Sequence, residues 1–183
     1  MDVTVAVLAG GLGTRIGGDK ALVQLAGRPL ISYPIAAAQA AGLDVVVVAK
    51  RTTQLPPLDV PVILEPDAPV HPLLGVITAL EELPAILAIP CDMPLLRAAE
   101  LAALAAMPDD LATLWPNQPF PSLYRRPLLP QLRAALEANQ SMRATQAQSL
   151  LAPAVASSTD SAPQLSVNTA EDLASAAALL RAG

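Results

Sequence analysis

Two places in the chain carry residue types suited to handling phosphate. The first is the stretch Val5 to Lys20, VAVLAGGLGTRIGGDK, where Gly10, Gly11, Gly13, Gly17 and Gly18 accompany two cations, Arg15 and Lys20. Glycine admits positive φ and lets the backbone come close to a ligand, because no Cβ intervenes. Successive free N–H groups in such a loop form a concave anion site. Lysine adds a point charge and arginine a two-donor clamp. The second place is Pro90-Cys91-Asp92-Met93-Pro94. A carboxylate there suits magnesium, which takes oxygen ligands, often one or two carboxylates together with phosphates. Plainer alternatives exist: a simple strand-to-helix turn for the glycines, solvated charges for the cations and a helix N-cap for Asp92. The joint occurrence of an apolar strand, a glycine loop and fixed cations favours phosphate.

The spacing excludes two familiar phosphate loops. The dinucleotide fingerprint requires glycine at the first, third and sixth positions; Gly11 and Gly13 fit, but Ile16 holds the sixth. The P-loop requires Gly-Lys followed by Ser or Thr, whereas Gly18 is followed by Asp19-Lys20-Ala21.

These residues need elements to position them. Val3 to Leu8 reads as a buried parallel strand, as do Val45 to Ala49, the shorter Val60 to Leu64, and Ala85 to Ile89, which runs into Asp92. Apolar alternation from Leu22 to Leu25 ends in a turn at Ala26-Gly27-Arg28. Pro29 then suits the first position of a helix that Pro34 should kink or delay and Gly42 should cap. A further helix spans Leu73 to Leu83 and ends at Pro84. Alternating strands and helices imply βαβ units, a mostly parallel sheet and right-handed crossovers. Ligands bind beyond the carboxyl ends of such strands, so the glycine loop and Asp92 fall on one rim.

The second half is less regular. Helices are expected over Ala98 to Met107, Leu128 to Ala138 and Ser141 to Leu151. Short strands are expected at Leu111 to Trp115 and Pro121 to Tyr124, around a turn at residues 116–119. Ala154 to Ala156 and Leu165 to Val167 read as edge strands, and a last helix starts near Thr169 with Thr169 and Asp172 in capping-box spacing.

Composition narrows the function classes. A length of 183 residues suits one domain. A net charge of -5 with 2% aromatic residues argues against nucleic acid as a partner. The chain has 53% hydrophobic residues, yet no run of the length of a membrane span and no basic leader pattern, so a cytoplasmic protein is expected. One Cys and one His leave no zinc cluster and no internal disulfide. The 19 prolines mostly flank apolar runs and read as stiffened loops.

The pattern LAGG-x-G-T-R-x-G-G-D-K, together with PCDMP, resembles the molybdenum cofactor guanylyltransferase family, nucleotidyltransferases of the GT-A/Rossmann-like type. The resemblance runs through most of the chain. It implies a single α/β domain, 1–183, Rossmann-like, with three α/β/α layers, a mostly parallel central sheet and an antiparallel edge. About 1–95 would bind nucleotide and about 96–183 the acceptor. It implies transfer of GMP from GTP to the terminal phosphate of molybdopterin with release of pyrophosphate, dependent on Mg2+. Molybdoenzymes or other cofactor-biosynthesis proteins are the implied protein partners. Carried over residue by residue, Leu8, Ala9, Gly10, Gly11, Gly13, Lys20, Asp67 and Asp92 would hold the nucleotide. Arg15, Lys20 and Asp92 would serve catalysis, with Asp92 as the metal ligand. LAGG members tend to use GTP and LAAG members CTP, which places the base preference on Gly10.

Other stretches match less fully. His71-Pro72-Leu73-Leu74-Gly75 resembles the family's G-P-L-A-G, with His71 and Leu74 as departures. SVNTAED resembles N-x-N-T-P-E-[DE], with Ser166 and Ala170 as departures; Asn168 suits either the cleft or a helix cap. Lys50 and Arg51 stand where the family often has Asn and would reach phosphate or acceptor. PFPSLYRR, with Arg125 and Arg126, resembles an acceptor-side stretch, and Arg143 is a further basic candidate there. Cys91 has no basic partner in view and reads as a packed small residue. Two alternatives stay open: a relative acting on another phosphorylated acceptor or using CTP, and a nucleotide-binding protein without transfer activity.

Overall fold

The computed structural model describes residues 3–11, 19–115, 118, 120–138, 154–155 (backbone only) and 165–182. Its main sheet has seven strands: β1 Thr4–Leu8, β4 Asp44–Lys50, β5 Val62–Glu65, β6 Ala85–Pro90, β7 Leu111–Thr113, β8 Ser122–Arg125 and β9 Ala154–Val155. The order is β5-β4-β1-β6-β8-β7-β9. β1 pairs in parallel with both β4 and β6, and β4 with β5. The antiparallel strand is β8, between β6 and β7, while β9 takes the outer place parallel to β7.

The central strands are apolar throughout because both sheet faces are covered. Side chains alternate between those faces. Val5, Val7, Val45, Val47, Leu87 and Ile89 pack on the side of helices α1 Ser32–Ala40 and α3 Ala98–Ala105. Ala6, Val46, Val48, Ile86 and Ala88 pack on the side of α2 Pro72–Glu82 and α4 Leu129–Ala138. Three layers result, as expected for this α/β class. The last helix, α5 Ala170–Ala182, closes a smaller cluster with Leu25, Leu30 and Val167.

Two expectations fail. Pro29 does not begin a helix. It lies in β3 Arg28–Pro29, which pairs antiparallel with β2 Gln24–Leu25 across a two-residue turn. Ala26 and Gly27 in that turn have φ of 48° and 79°, the twist that a tight hairpin requires. Helix α1 starts only at Ser32, so Pro34 sits in its first turn, where no N–H is needed. Second, Leu165 to Val167 forms no strand; the Val167 N–H donates instead to the Asp92 carbonyl at 2.8 Å. The helix expected over Ser141 to Leu151 lies outside the described residues.

Ala26 is exposed, and its left-handed backbone brings its Cβ against the carbonyl. Ala26→Gly should therefore raise stability by about 0.5–1 kcal/mol, read as a higher urea midpoint at unchanged slope.

Candidate active site

The register brings the carboxyl ends of four parallel strands to one rim. Leu8 stands opposite Val48 and Pro90, and Lys50 opposite Glu65. A cavity of about 420 Å³ opens there, lined by Leu8, Gly10, Gly11 and Lys20 on one side of the strand ends, Lys50 and Glu65 at β4 and β5, and Cys91, Asp92 and Ser166 beyond β6. Glu65 ends β5 and Asp92 follows β6, strands three spacings apart, about 14 Å.

At the β6 end, the Lys20 Nζ donates to Asp92 Oδ2 and to Asn168 Oδ1, each at 2.6 Å. The two side chains of the ion pair are 16% and 10% exposed. Asn168 is fixed from α5: its N–H and that of Thr169 both donate to Asp172 Oδ2 at 2.9 Å, and the Asp172 N–H donates back to Thr169 Oγ1. This reciprocal cap is the one that the Thr169–Asp172 spacing foretold. The N–H groups of Asn168 and Thr169, with the Thr169 hydroxyl, hold the Asp172 carboxyl below its usual range. Asn168 thus both borders the cap and reaches the cavity cation.

Asp92 Oδ1 is buried and has no hydrogen-bond partner among the described residues. A buried carboxylate oxygen lacking a donor suits a cation. No group of three or more His, Cys, Asp or Glu able to hold a metal exists among the described residues. Asp92 would therefore hold a cation with one carboxylate, the remaining ligands being phosphate oxygens and water, an arrangement common for magnesium. Beside it, burial and the Asp92 charge push the Cys91 thiol up to about 12, so it stays protonated and is no nucleophile at neutral pH.

At the β5 end the carboxylate on the cavity is Glu65, not Asp67. Asp67 is exposed, and its carbonyl accepts from Lys50 Nζ at 3.0 Å. Burial raises the Glu65 carboxyl, and Lys50 opposes that rise. A Cβ at Gly10 would collide with Glu65 Oε1, and one at Gly75 would lie 2.9 Å from Oε2, whereas a Cβ at Gly11 would meet nothing. His71 caps α2, its Nδ1 accepting from the Leu73 N–H at 3.1 Å, on the cavity wall.

Of the residues singled out from sequence, Leu8, Gly10, Gly11, Lys20 and Asp92 come together, while Ala9 is buried beside them. Gly13, Arg15 and Arg143 lie outside the described residues. Arg51 is exposed in the turn after β4. Arg125 and Arg126 sit at the opposite end of the sheet, where Arg125 pairs with Ala85 at the start of β6. Their side chains donate to the backbone carbonyls of Met107, Asp109 and Leu80. Within Glu65-Pro66-Asp67, the stretch that the resemblance marks for an acidic residue near the nucleotide, the sequence reading chose Asp67 over Glu65; once β5 is known to end at Glu65, its two-residue step from Ile63 puts it on the same sheet face.

The model of the MobA-like NTP transferase domain matches residues 5–157. A molybdenum cofactor guanylyltransferase of Xanthomonas euvesicatoria is 34% identical over 155 residues, covering 78% of this chain and 77% of that protein. One from Shewanella halifaxensis is 35% identical over 150 residues, covering 75% of each. Molybdopterin-guanine dinucleotide biosynthesis protein A from Archaeoglobus fulgidus shares the fold with a TM-score of 0.72 at 19% identity, over 99% of this chain and 100% of that one. With Gly10, Gly11 and Asp92 on one strand rim, a family model spanning most of the chain and relatives above 30% identity over three quarters of it, this chain belongs to the MobA-like NTP transferase domain family.

Proposed function

We propose that this nucleotidyltransferase transfers GMP from GTP to the terminal phosphate of molybdopterin, releasing pyrophosphate, with Mg2+ held by Asp92. The observation that carries the reading is the Lys20 ammonium bound to Asp92 and Asn168 at the cavity's β6 end. The strand spacing then leaves the β5 end, with Glu65, for the base. Leu8, Ala9, Gly10 and Gly11 lie at the strand end between the two, and Gly13 and Arg15 keep the phosphate-holding roles that the family resemblance implies.

In the transfer, an oxygen of the acceptor phosphate forms a bond to the α-phosphorus of GTP. The bond from that phosphorus to the bridging oxygen breaks, and pyrophosphate leaves with the electron pair. A phosphate monoester is anionic near neutral pH, so no general base is required, in keeping with a protonated Cys91. Magnesium, when bound, neutralises charge gathering on the phosphates. The protein's own part is to align the reactants and hold fixed charge against the leaving group. Residues 1–95 supply the nucleotide side, and residues 96–183 supply Asn168 and the acceptor side.

Incubation with Mg2+, molybdopterin and each NTP tests this: pyrophosphate should form with GTP, and its absence, or equal release with CTP, would refute the assignment. Gly10→Ala forces the Glu65 carboxylate to move, and so should weaken GTP binding by about tenfold, near 1.4 kcal/mol, with a smaller effect on CTP. Direct titration of both nucleotides reads the difference.

A further inference from the structure

Lys50 and Glu65 are register partners at the rim ends of β4 and β5, and their side chains are each 7% exposed. An ammonium has three donors. The Lys50 Nζ gives two of them to carbonyls of the segment after β5, Pro66 O at 2.7 Å and Asp67 O at 3.0 Å, and lies 3.6 Å from Glu65 Oε1. Lys50 is thus engaged by the protein itself and does not reach for phosphate. Glu65 fills the space left by the missing side chains of Gly10 and Gly75. Burial favours its neutral form and the Lys50 charge opposes this. The cavity's other ionisable side chains are Lys20, His71, Cys91 and Asp92.

We propose that Lys50 is a positioning residue for base selection: it fixes Glu65 as a charged acceptor on the cavity wall, where the carboxylate takes a base presenting adjacent N–H donors along one edge, as guanine does. This rests on the reading of the cavity as a GTP site. A carboxylate accepts but does not donate while ionised, so it favours the guanine ring N–H and amine and disfavours an edge with a ring acceptor, as in adenine or cytosine. Protonation of Glu65 would replace that acceptor with a hydroxyl donor. Lys50 therefore acts on selectivity by keeping the proton off and by holding the loop that frames the carboxylate.

The experiment is calorimetric titration of the full chain with GTP and ATP in Mg2+, from about pH 6 to about pH 8, for the wild type, Lys50→Met, Glu65→Gln and the double variant. In Lys50→Met, GTP affinity should fall about tenfold or more at the acid end and recover as pH rises, because Glu65 loses the cation that keeps it ionised. ATP affinity should change by less than about twofold, and wild-type GTP affinity should be flat over the same range. In the Glu65→Gln background, the further change to Met at position 50 should have little effect on GTP. The double variant also replaces a buried ion pair by neutral groups, a change that folds tolerate well. Wild-type GTP affinity and a flat pH profile in Lys50→Met would overturn the proposal. So would equal losses for GTP and ATP, or an undiminished loss in the Glu65→Gln background. A wild-type protein that bound no GTP would overturn the functional reading as well.

Discussion

Asp92→Ala should reduce guanylyl transfer by about a thousandfold or more, corresponding to some 4 kcal/mol of lost charge stabilisation. The carboxylate has two oxygens with separate tasks. Oδ2 is bound by Lys20, and Oδ1 is buried without a donor among the described residues, open to a cation. Alanine removes both tasks at once. The fold should survive, since Lys20 keeps Asn168 as an acceptor and is partly exposed to water. Asp92→Asn separates charge from shape, and should retain the thermal midpoint while still losing transfer. Stopped transfer with unchanged circular dichroism is the expected result; near-wild-type turnover would remove Asp92 from the chemistry.

Lys20→Met should act mainly through the triphosphate. The substitution keeps the apolar stem but deletes a charge-assisted donor, an interaction worth about 1.5–3 kcal/mol, or about 10- to 100-fold in kcat/KM for GTP. A second consequence concerns stability. Asp92 is nearly buried and would lose its cation, so the free variant should be less stable by about 1–3 kcal/mol. Added Mg2+ should recover part of that loss in a denaturant titration by binding the folded form. Unchanged kinetics in this variant would contradict the role assigned to Lys20.

The parts of the site legible in the sequence were those specified by short-range pattern. Unbroken apolar runs marked β1, β4 and β6, because a parallel strand covered on both faces has no solvent side to reveal. A parallel arrangement then put Gly10, Gly11 and Asp92 on one rim. The Thr169–Asp172 cap was legible for a similar reason: it is made wholly within four residues. What remained hidden depended on contacts distant along the chain or on a boundary. Pro29 fits a helix start equally well as an edge position in a hairpin, and the Ala26-Gly27 turn settled the choice. The choice between Glu65 and Asp67 turned on where β5 ends: a period of two would give both the same face, but only Glu65 is still inside the strand, opposite Lys50, whereas Asp67 lies beyond it and is exposed. The segment Leu165 to Val167 carries strand-like residues but ties to Asp92 through one backbone bond, across 75 positions that no local pattern spans.

A crystal of the protein grown with GTP and Mg2+ bears most directly on the central claim, that one nucleotide lies along the rim from β5 to β6. The expected density places the phosphates within hydrogen-bond reach of Lys20, with the metal on Asp92 and the base beside Glu65. A nucleotide bound elsewhere, or one seated in reverse with its base against Asp92, would contradict the account.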